Sequence, residues 1–284
     1  RLVGSEMCIR DSRITGKLHS FAPNAQIVHI DIDTAAISKN VQVDVPIVAD
    51  AKEAVTKMLE YVTPFETGKW LDTIEDWKAE HPLKMKKKPI MTPQDVIEAI
   101  NRIFDEAIIV TDVGQHQMFT AQFIEITEKK KLLMSGGLGT MGYGMPGAIG
   151  AKIGNPDTPV ISVSGDGGMQ MNIQELGTIM EQKAPVKIIC LNNNYLGNVR
   201  QWQAMFFNRR YSFTPMLNPD YMKIASAYDI PSKRVFSREE LKVAIDEMLS
   251  TDGPFLLEAC VVEEGNVLPM TPPGGSVNQM LLEC

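Results

Sequence analysis

The chain has 284 residues, 44% of them hydrophobic, which suits one large or two ordinary globular domains with ample core. Its 28 basic and 35 acidic residues, net −7, give no electrostatic footprint for nucleic acid. The four cysteines (Cys8, Cys190, Cys260, Cys284) show no CxxC spacing for a zinc site or disulfide framework, and no apolar run reaches bilayer length. With no signal peptide in view, cytoplasmic residence is the default expectation.

Residues 1–12 (RLVGSEMCIRDS) carry neither helical nor strand periodicity and are set aside as a non-native leader. Gln26–Asp33 (QIVHIDID) reads as a strand ending in acids. A short helical stretch, Thr34–Asn40, follows, then a second apolar run, Val45–Ala49, ending at Asp50, and a helix from Ala51 to about Val62. An acid at a strand end suits a ribose hydroxyl in a dinucleotide fold, or equally a turn or helix cap. Two strands are too few for a complete dinucleotide domain, so residues 13–62 are expected to be the C-terminal remnant of a central Rossmann-like domain. Residues 63–90, with Pro64, Gly68, Pro82, Pro89 and a charged helix around Trp70–Glu80, read as a linker.

A second domain is expected over residues 91–284. Thr92-Pro93 is a helix start, the hydroxyl capping and the proline in the first turn. AIIVTDVG (107–114) is a strand running into Gly114-Gln115-His116, at the carboxyl edge where open α/β sheets bind ligands. Gly137, Gly139 and Gly142 satisfy GxGxxG. However, Lys129–Met134 is a poor strand, and Gly144 and Pro146 suit only the first turn of a following helix, so the dinucleotide reading is set aside. These glycines are expected instead to let backbone approach a flat ligand.

The most informative stretch is residues 160–197. VISVS and VKIICL have the pattern of parallel strands covered on both faces, and between them Ile173, Leu176, Ile179 and Met180 mark one face of a helix. Such a βαβ unit brings Asp166, in Gly165-Asp166-Gly167, to the same sheet edge as Asn193. Carboxylate and carboxamide oxygens suit Mg²⁺ or Ca²⁺, and backbone N–H groups at Gly167 and Gly168 suit an anion, so the unit reads as a metal-diphosphate clamp. Val199–Phe207 is a helix on which Trp202 and Phe206 share a face, for core packing or a pocket wall. Further helices (Pro219–Tyr228, then Ser237–Leu249 with a capping box Ser237-x-x-Glu240), a strand (Phe255–Val262) and a proline-glycine loop from Asn266 follow. The fold class is α/β, a parallel sheet with helices on both faces.

The GDG…NN unit resembles the metal motif of thiamine-diphosphate enzymes. VGQHQM (113–118), SGGLGTMGYGMPGAIGAK (135–152), LGNVRQWQ (196–203) and VLPMTPPGG (267–275) resemble, more narrowly, the large catalytic subunits of acetolactate (acetohydroxyacid) synthases. The resemblance covers the chain from Arg13 on and implies a thiamine-diphosphate-binding (pyrophosphate) domain. It implies Mg²⁺ on Asp166, Asn193 and the Tyr195 carbonyl, with Gln115, His116, Gly139, Met141, Gly167, Gly168, Gly197, Asn198 and Val199 around thiamine diphosphate. It implies a non-redox FAD at Arg13, Asp31, Ile32, Asp33, Asp50, Gln117 and Ser135, and places Trp202 in the substrate pocket. The implied reaction decarboxylates pyruvate and transfers the two-carbon unit to pyruvate or 2-oxobutyrate. The implied partners are further large subunits, in a dimer or tetramer, and a small regulatory subunit. Its activating glutamate would come from an N-terminal domain, so this chain is expected to be a C-terminal fragment, inactive alone. Another thiamine-diphosphate decarboxylase or oxidase, or a non-catalytic cofactor-binding module, stays open as the alternative.

Overall fold

A computed structural model describes residues 15–64, 66–83 and 89–282. The chain divides into two compact units, one drawn from residues 1–84 and 268–284, the other from residues 85–267. The expectations for residues 1–12 and Arg13 lie outside the described residues.

In the first unit, β1 (Val28–Asp31) pairs in parallel with β2 (Val45–Val48), and α1 (Ala51–Leu59) and α2 (Gly68–Glu80) follow. The helix expected over residues 34–40 is a run of turns, in which Ser38 sits at φ +57, a conformation that no right-handed helix continues. Asp50 caps α1, its Oδ1 accepting from the N–H of Lys52 (2.8 Å) and Glu53 (3.3 Å).

The second unit runs α3 (Pro93–Ile103), β3 (Ala107–Thr111), α4 (Gln115–Phe123), β4 (Lys130–Met134), α5 (Gly144–Gly154), β5 (Val160–Gly165) and α6 (Asp166–Met171). It continues with α7 (Glu175–Gln182), β6 (Val186–Asn192), α8 (Gly197–Phe206), α9 (Tyr221–Ala227), β7 (Ser232–Val235), α10 (Arg238–Ser250) and β8 (Phe255–Cys260). Its six strands form one all-parallel sheet in the order β4-β3-β5-β6-β8-β7. The strands are apolar on both sides because helices cover both. Ile109, Ile161, Val163, Ile189 and Leu257 pack toward α3 and α10. Ile108, Val110, Val160, Val186 and Ile188 pack toward α5, α7 and α9. Each such fully buried aliphatic side chain contributes about 1.5–3 kcal/mol relative to exposure.

Three local readings change. Lys130–Met134 does form a strand, because an edge position covered on one face tolerates alternating residues: Lys130 is buried while Lys131 and Leu133 are exposed. The central crossover is two helices rather than one, broken at Asn172, whose Nδ2 donates to the Gly142 carbonyl (2.8 Å). Leu176 and Ile179 are buried there as expected, but Met180 is exposed. At α10 the box is offset by one residue: Ser237 accepts from the Glu240 N–H, while the Glu240 carboxylate reaches the N–H of Phe236 (2.7 Å).

Candidate functional site

From β3 the chain passes outward to β4 and then returns to β5 on the other side of β3, so the strand order reverses between β3 and β5. Ligands of open α/β sheets bind in the crevice at such a point, outside the carboxyl ends of the strands. Register sets the level of each side chain there. Gly165 lies opposite Leu191, which brings Asp166 level with Asn192 and its neighbours.

A cavity of about 200 Å³ opens at this edge, lined by Val113–His116, Gly139, Met141, Gly165–Gly168, Leu191, Asn193, Tyr195–Val199 and, at its rim, Pro93, Phe119 and Val261. All the residues expected around the metal and thiamine diphosphate are among them: Gln115, His116, Gly139, Met141, Asp166, Gly167, Gly168, Asn193, Tyr195, Gly197, Asn198 and Val199.

Asp166 is the only carboxylate on this wall and is 2% exposed. Its Oδ1 accepts from the Gly167 N–H (3.0 Å) and its Oδ2 from Asn218 Nδ2 (2.9 Å). Burial pushes its carboxyl up to about 6, against the pull of Asn218 and Gly167 toward the charged form. A buried carboxylate whose partners are all neutral is a place where a cation is welcome. The donor set, one carboxylate, the Asn193 carboxamide and the Tyr195 carbonyl, is hard oxygen throughout. It suits a small divalent ion that completes its shell with phosphate and water. Among the described residues there is no cluster of three His, Cys, Asp or Glu that would hold a metal unaided.

The anion side fits as well. His116 is buried between Gly114 and Gly165; a Cβ on Gly165 would come within 2.6 Å of its Nδ1. Burial lowers this imidazole to about 4 despite the opposing charge of Asp112, and its Nε2 has no partner among the described residues. A Cβ at Gly197 would meet Gln115 Oε1 at 2.2 Å, and one at Gly167 would meet Leu196 Cδ2 at 2.8 Å, so a larger residue at either place would have to push these side chains aside. Gln115 Nε2 donates to Gln201 Oε1 (2.7 Å) and the Gly265 carbonyl (2.9 Å), both of its hydrogens thereby serving the protein.

The GxGxxG segment is settled by a residue the sequence reading overlooked. Asp112, at the end of β3 and 1% exposed, accepts from the N–H groups of Val113 (2.7 Å), Gly142 (3.0 Å) and Gly144 (2.8 Å). The N-terminus of α5 is therefore filled by the chain's own carboxylate, which leaves no place for a pyrophosphate. Gly168 serves the same residue, since a Cβ there would lie 2.4 Å from Asp112 Oδ1. Asn218 was missed too. The signal for Asp112 was an acid directly after the apolar run of β3; for Asn218 there was none.

The remaining expected residues lie elsewhere. Trp202 is not on the cavity wall; it stacks edge-on with Phe206, 37% exposed, on the α8 turn that follows Val199. Of the flavin candidates, Asp31 and Asp33 accept from the N–H of Asp33 and Ala35 (2.9 Å each), Asp50 caps α1 and Ile32 is 74% exposed. Ser135 Oγ accepts from the Thr140 N–H (3.1 Å), and Gln117 is half-buried on α4. The first three acids thus act as turn and cap residues.

Comparison with known proteins agrees with this geometry. Residues 112–259 match the thiamine pyrophosphate enzyme C-terminal TPP binding domain, and residues 2–58 match the thiamine pyrophosphate enzyme central domain. The chain is 44% identical over 281 residues to the acetolactate synthase large subunit of Cyanidium caldarium, covering 95% of this chain and 48% of that protein. It is 39% identical over 275 residues to the acetolactate synthase isozyme 2 large subunit of Escherichia coli K12 (95% and 50%). It is 42% identical over 290 residues to acetolactate synthase 1, chloroplastic, of Nicotiana tabacum (96% and 43%). The chain thus spans about half the length of the curated relatives it matches. Because the C-terminal match takes in just over half of the chain and falls on the strands and loops that build the cavity, the chain belongs to the thiamine pyrophosphate enzymes.

Proposed function

We propose that this chain carries the cofactor-binding half of an acetolactate synthase, which joins the two-carbon remnant of pyruvate to a second 2-oxoacid, pyruvate or 2-oxobutyrate. The observation that carries the reading is the convergence of Asp166, Asn193 and Tyr195 with a glycine-lined anion wall in one cavity, in a chain about 40% identical to such enzymes.

Bound thiamine diphosphate supplies the carbanion-stabilising centre for decarboxylation and carbon–carbon bond formation. In this reading Asp166, Asn193 and the Tyr195 carbonyl would hold Mg²⁺, Gln115, His116, Gly167, Gly168 and Gly197 would hold the diphosphate, and Gly139 and Met141 would receive the aminopyrimidine. The apolar wall of Val113, Phe119, Leu191, Leu196 and Val261 excludes water from the reacting carbons. Trp202 lies three residues beyond Val199, hence on the same face of α8, where a second 2-oxoacid at the cavity mouth would meet it.

Asp166 is the one carboxylate lining the cavity among the described residues, and in this reading it is committed to the metal. By the resemblance, the acid that exchanges a proton with the pyrimidine would come from another domain or subunit, and on this reading the chain by itself is inactive. The relatives' designation as large subunits extends the proposal to assembly of several such chains with a smaller regulatory partner. No helix among the described residues is long and apolar enough to cross a membrane. The cytoplasm is the compartment we propose; the relatives from Nicotiana tabacum and Zea mays are named chloroplastic. FAD is carried in the proposal by resemblance alone, and quenching of flavin fluorescence on titration with the chain tests it.

Calorimetry of the purified chain with Mg²⁺ and thiamine diphosphate tests the central reading, and absence of binding refutes it. Acetolactate formation from pyruvate by the isolated chain would refute the claim that it lacks its acid. A pyruvate-decarboxylating activity that never yields acetolactate, on addition of the N-terminal half of a relative, would favour another thiamine-diphosphate enzyme.

A further inference from the structure

We propose that Asn218 is a positioning residue for the divalent cation: its carboxamide grips Asp166 from behind, so that the carboxylate presents itself to the metal in one orientation. The inference deepens the functional reading above and rests on it.

Asn218 belongs to the loop before α9, outside the βαβ unit that carries the expected ligands. Its Nδ2 lies 2.9 Å from Asp166 Oδ2, 3.1 Å from Asn192 Oδ1 and 3.3 Å from Asn194 Oδ1. Its Oδ1 accepts from Gln170 Nε2 at 2.9 Å. With the oxygen tied to Gln170, the nitrogen is the atom that faces the three acceptors, so the orientation of the amide is fixed by its surroundings.

The loop is pinned to the other ligand-bearing segment too. The Leu196 N–H donates to the Thr214 carbonyl (2.8 Å), and the Met216 N–H donates to that of Asn194 (2.9 Å). Asn218 therefore ties the end of β5 to the end of β6, the two places from which the expected ligands come. Asn193 and Tyr195 line the cofactor cavity, whereas Asn192, Asn194 and Asn218 line a second depression of about 500 Å³. Asp166 stands between them, with Oδ2 committed to Asn218.

The chemistry explains why an amide does this. A lysine or arginine there would fix the carboxylate but neutralise it and repel the cation. A carboxamide donates a hydrogen bond and leaves the negative charge for the metal. Without it, the Asp166 carboxylate loses its side-chain partner and is free to rotate about its Cβ–Cγ bond.

The test uses the whole chain, with Mg²⁺ titrated calorimetrically at saturating thiamine diphosphate and thermal unfolding recorded alongside. Asn218→Ala and Asn218→Leu are expected to weaken the Mg²⁺ constant about 10- to 100-fold, the usual effect of removing a partner of a metal ligand. The melting temperature of the metal-free chain is expected to change little, whereas a purely structural role would lower it and leave the Mg²⁺ constant alone. Gln170→Leu, which removes the shorter of the two bonds to the Asn218 oxygen (the Tyr221 hydroxyl stays at 3.4 Å) without touching Asp166, is expected to give a smaller loss of the same sign, and it carries the test if the Asn218 variants do not fold. Mg²⁺ constants within about twofold of the unsubstituted chain in the folded variants overturn the inference alone. Failure of the unsubstituted chain to bind Mg²⁺ with thiamine diphosphate overturns the functional reading, and this inference with it.

Discussion

Replacing Asp112 by alanine removes the acceptor of three backbone N–H groups at 2.7, 3.0 and 2.8 Å. Gly142 and Gly144 are buried, so their N–H groups have no water to turn to. An unsatisfied buried polar group costs about 1–3 kcal/mol, which for these two gives about 2–6 kcal/mol. That is a large share of the roughly 5–15 kcal/mol that holds an ordinary domain folded. Asp112→Asn keeps one acceptor oxygen and turns an amide donor toward one of the N–H groups, so it falls in the lower half of that range. Urea unfolding measures the loss as a lower midpoint at unchanged slope. Hydrogen exchange localises it, with the Gly142 and Gly144 amides losing protection while those in the middle of β5 keep theirs. Because Gly139 and Met141 precede these anchors on the same loop, Mg²⁺-dependent binding of thiamine diphosphate weakens as well. A loss in Asp112→Ala below about 0.5 kcal/mol, with both amides still protected, would refute the account and require another partner for those groups.

Two further perturbations test the frame around the cavity. Burial works against the charge of Asp95, but Arg238, bonded to both carboxylate oxygens at 2.8 and 2.9 Å, and Thr92 outweigh it and hold its carboxyl below the ordinary value. Since the folded value lies below the unfolded one, the stabilisation is complete above about pH 4 and is lost as pH falls through the folded value. The stability difference between the unsubstituted chain and Asp95→Asn should thus shrink as pH drops from about 5 to about 2, and a difference that grows would contradict the pairing. Glu258, 1% exposed, is held by Arg234 Nε (2.6 Å) and Asn192 Nδ2 (2.7 Å). Arg234→Met strands its charge at a cost of about 3–5 kcal/mol, much of which the double variant with Glu258→Leu recovers; a single-variant cost under about 1 kcal/mol in urea unfolding argues against a buried charge there.

The sequence was most legible where burial imposes a pattern. β5, β6 and β8 announced themselves as mostly apolar runs because the sheet is covered on both faces, and Thr92-Pro93 marked its helix because caps are local chemistry. The edges were harder to read. β4 (KKLLM) was judged a poor strand and β7 (SKRV) was not foreseen, since an edge strand needs to hide only one side and can spend the other on charge. In the site, Asp166 and Asn193 could be paired in advance because one crossover joins their strands. Asn218 could not, because it reaches Asp166 from 52 residues away along a loop whose path no local pattern encodes. Asp112 was legible in position but not in role, since its partners are backbone groups some 30 residues further on.

The alternation at the end of β6 bears on how this site tolerates change. Leu191, Asn193 and Tyr195 line the cavity while Asn192 and Asn194 line the second depression, an alternation that β6 begins and that a turn with Asn194 at φ +56 completes. Three consecutive asparagines are interchangeable in composition but not in address. A deletion of any one of them would leave the chain still reading Asn-Asn, yet it would move Tyr195 to the side now held by Asn194. Insertions and deletions in this triplet should therefore be far more damaging than substitutions, a sensitivity to phase that an alignment scored by residue identity alone would hide.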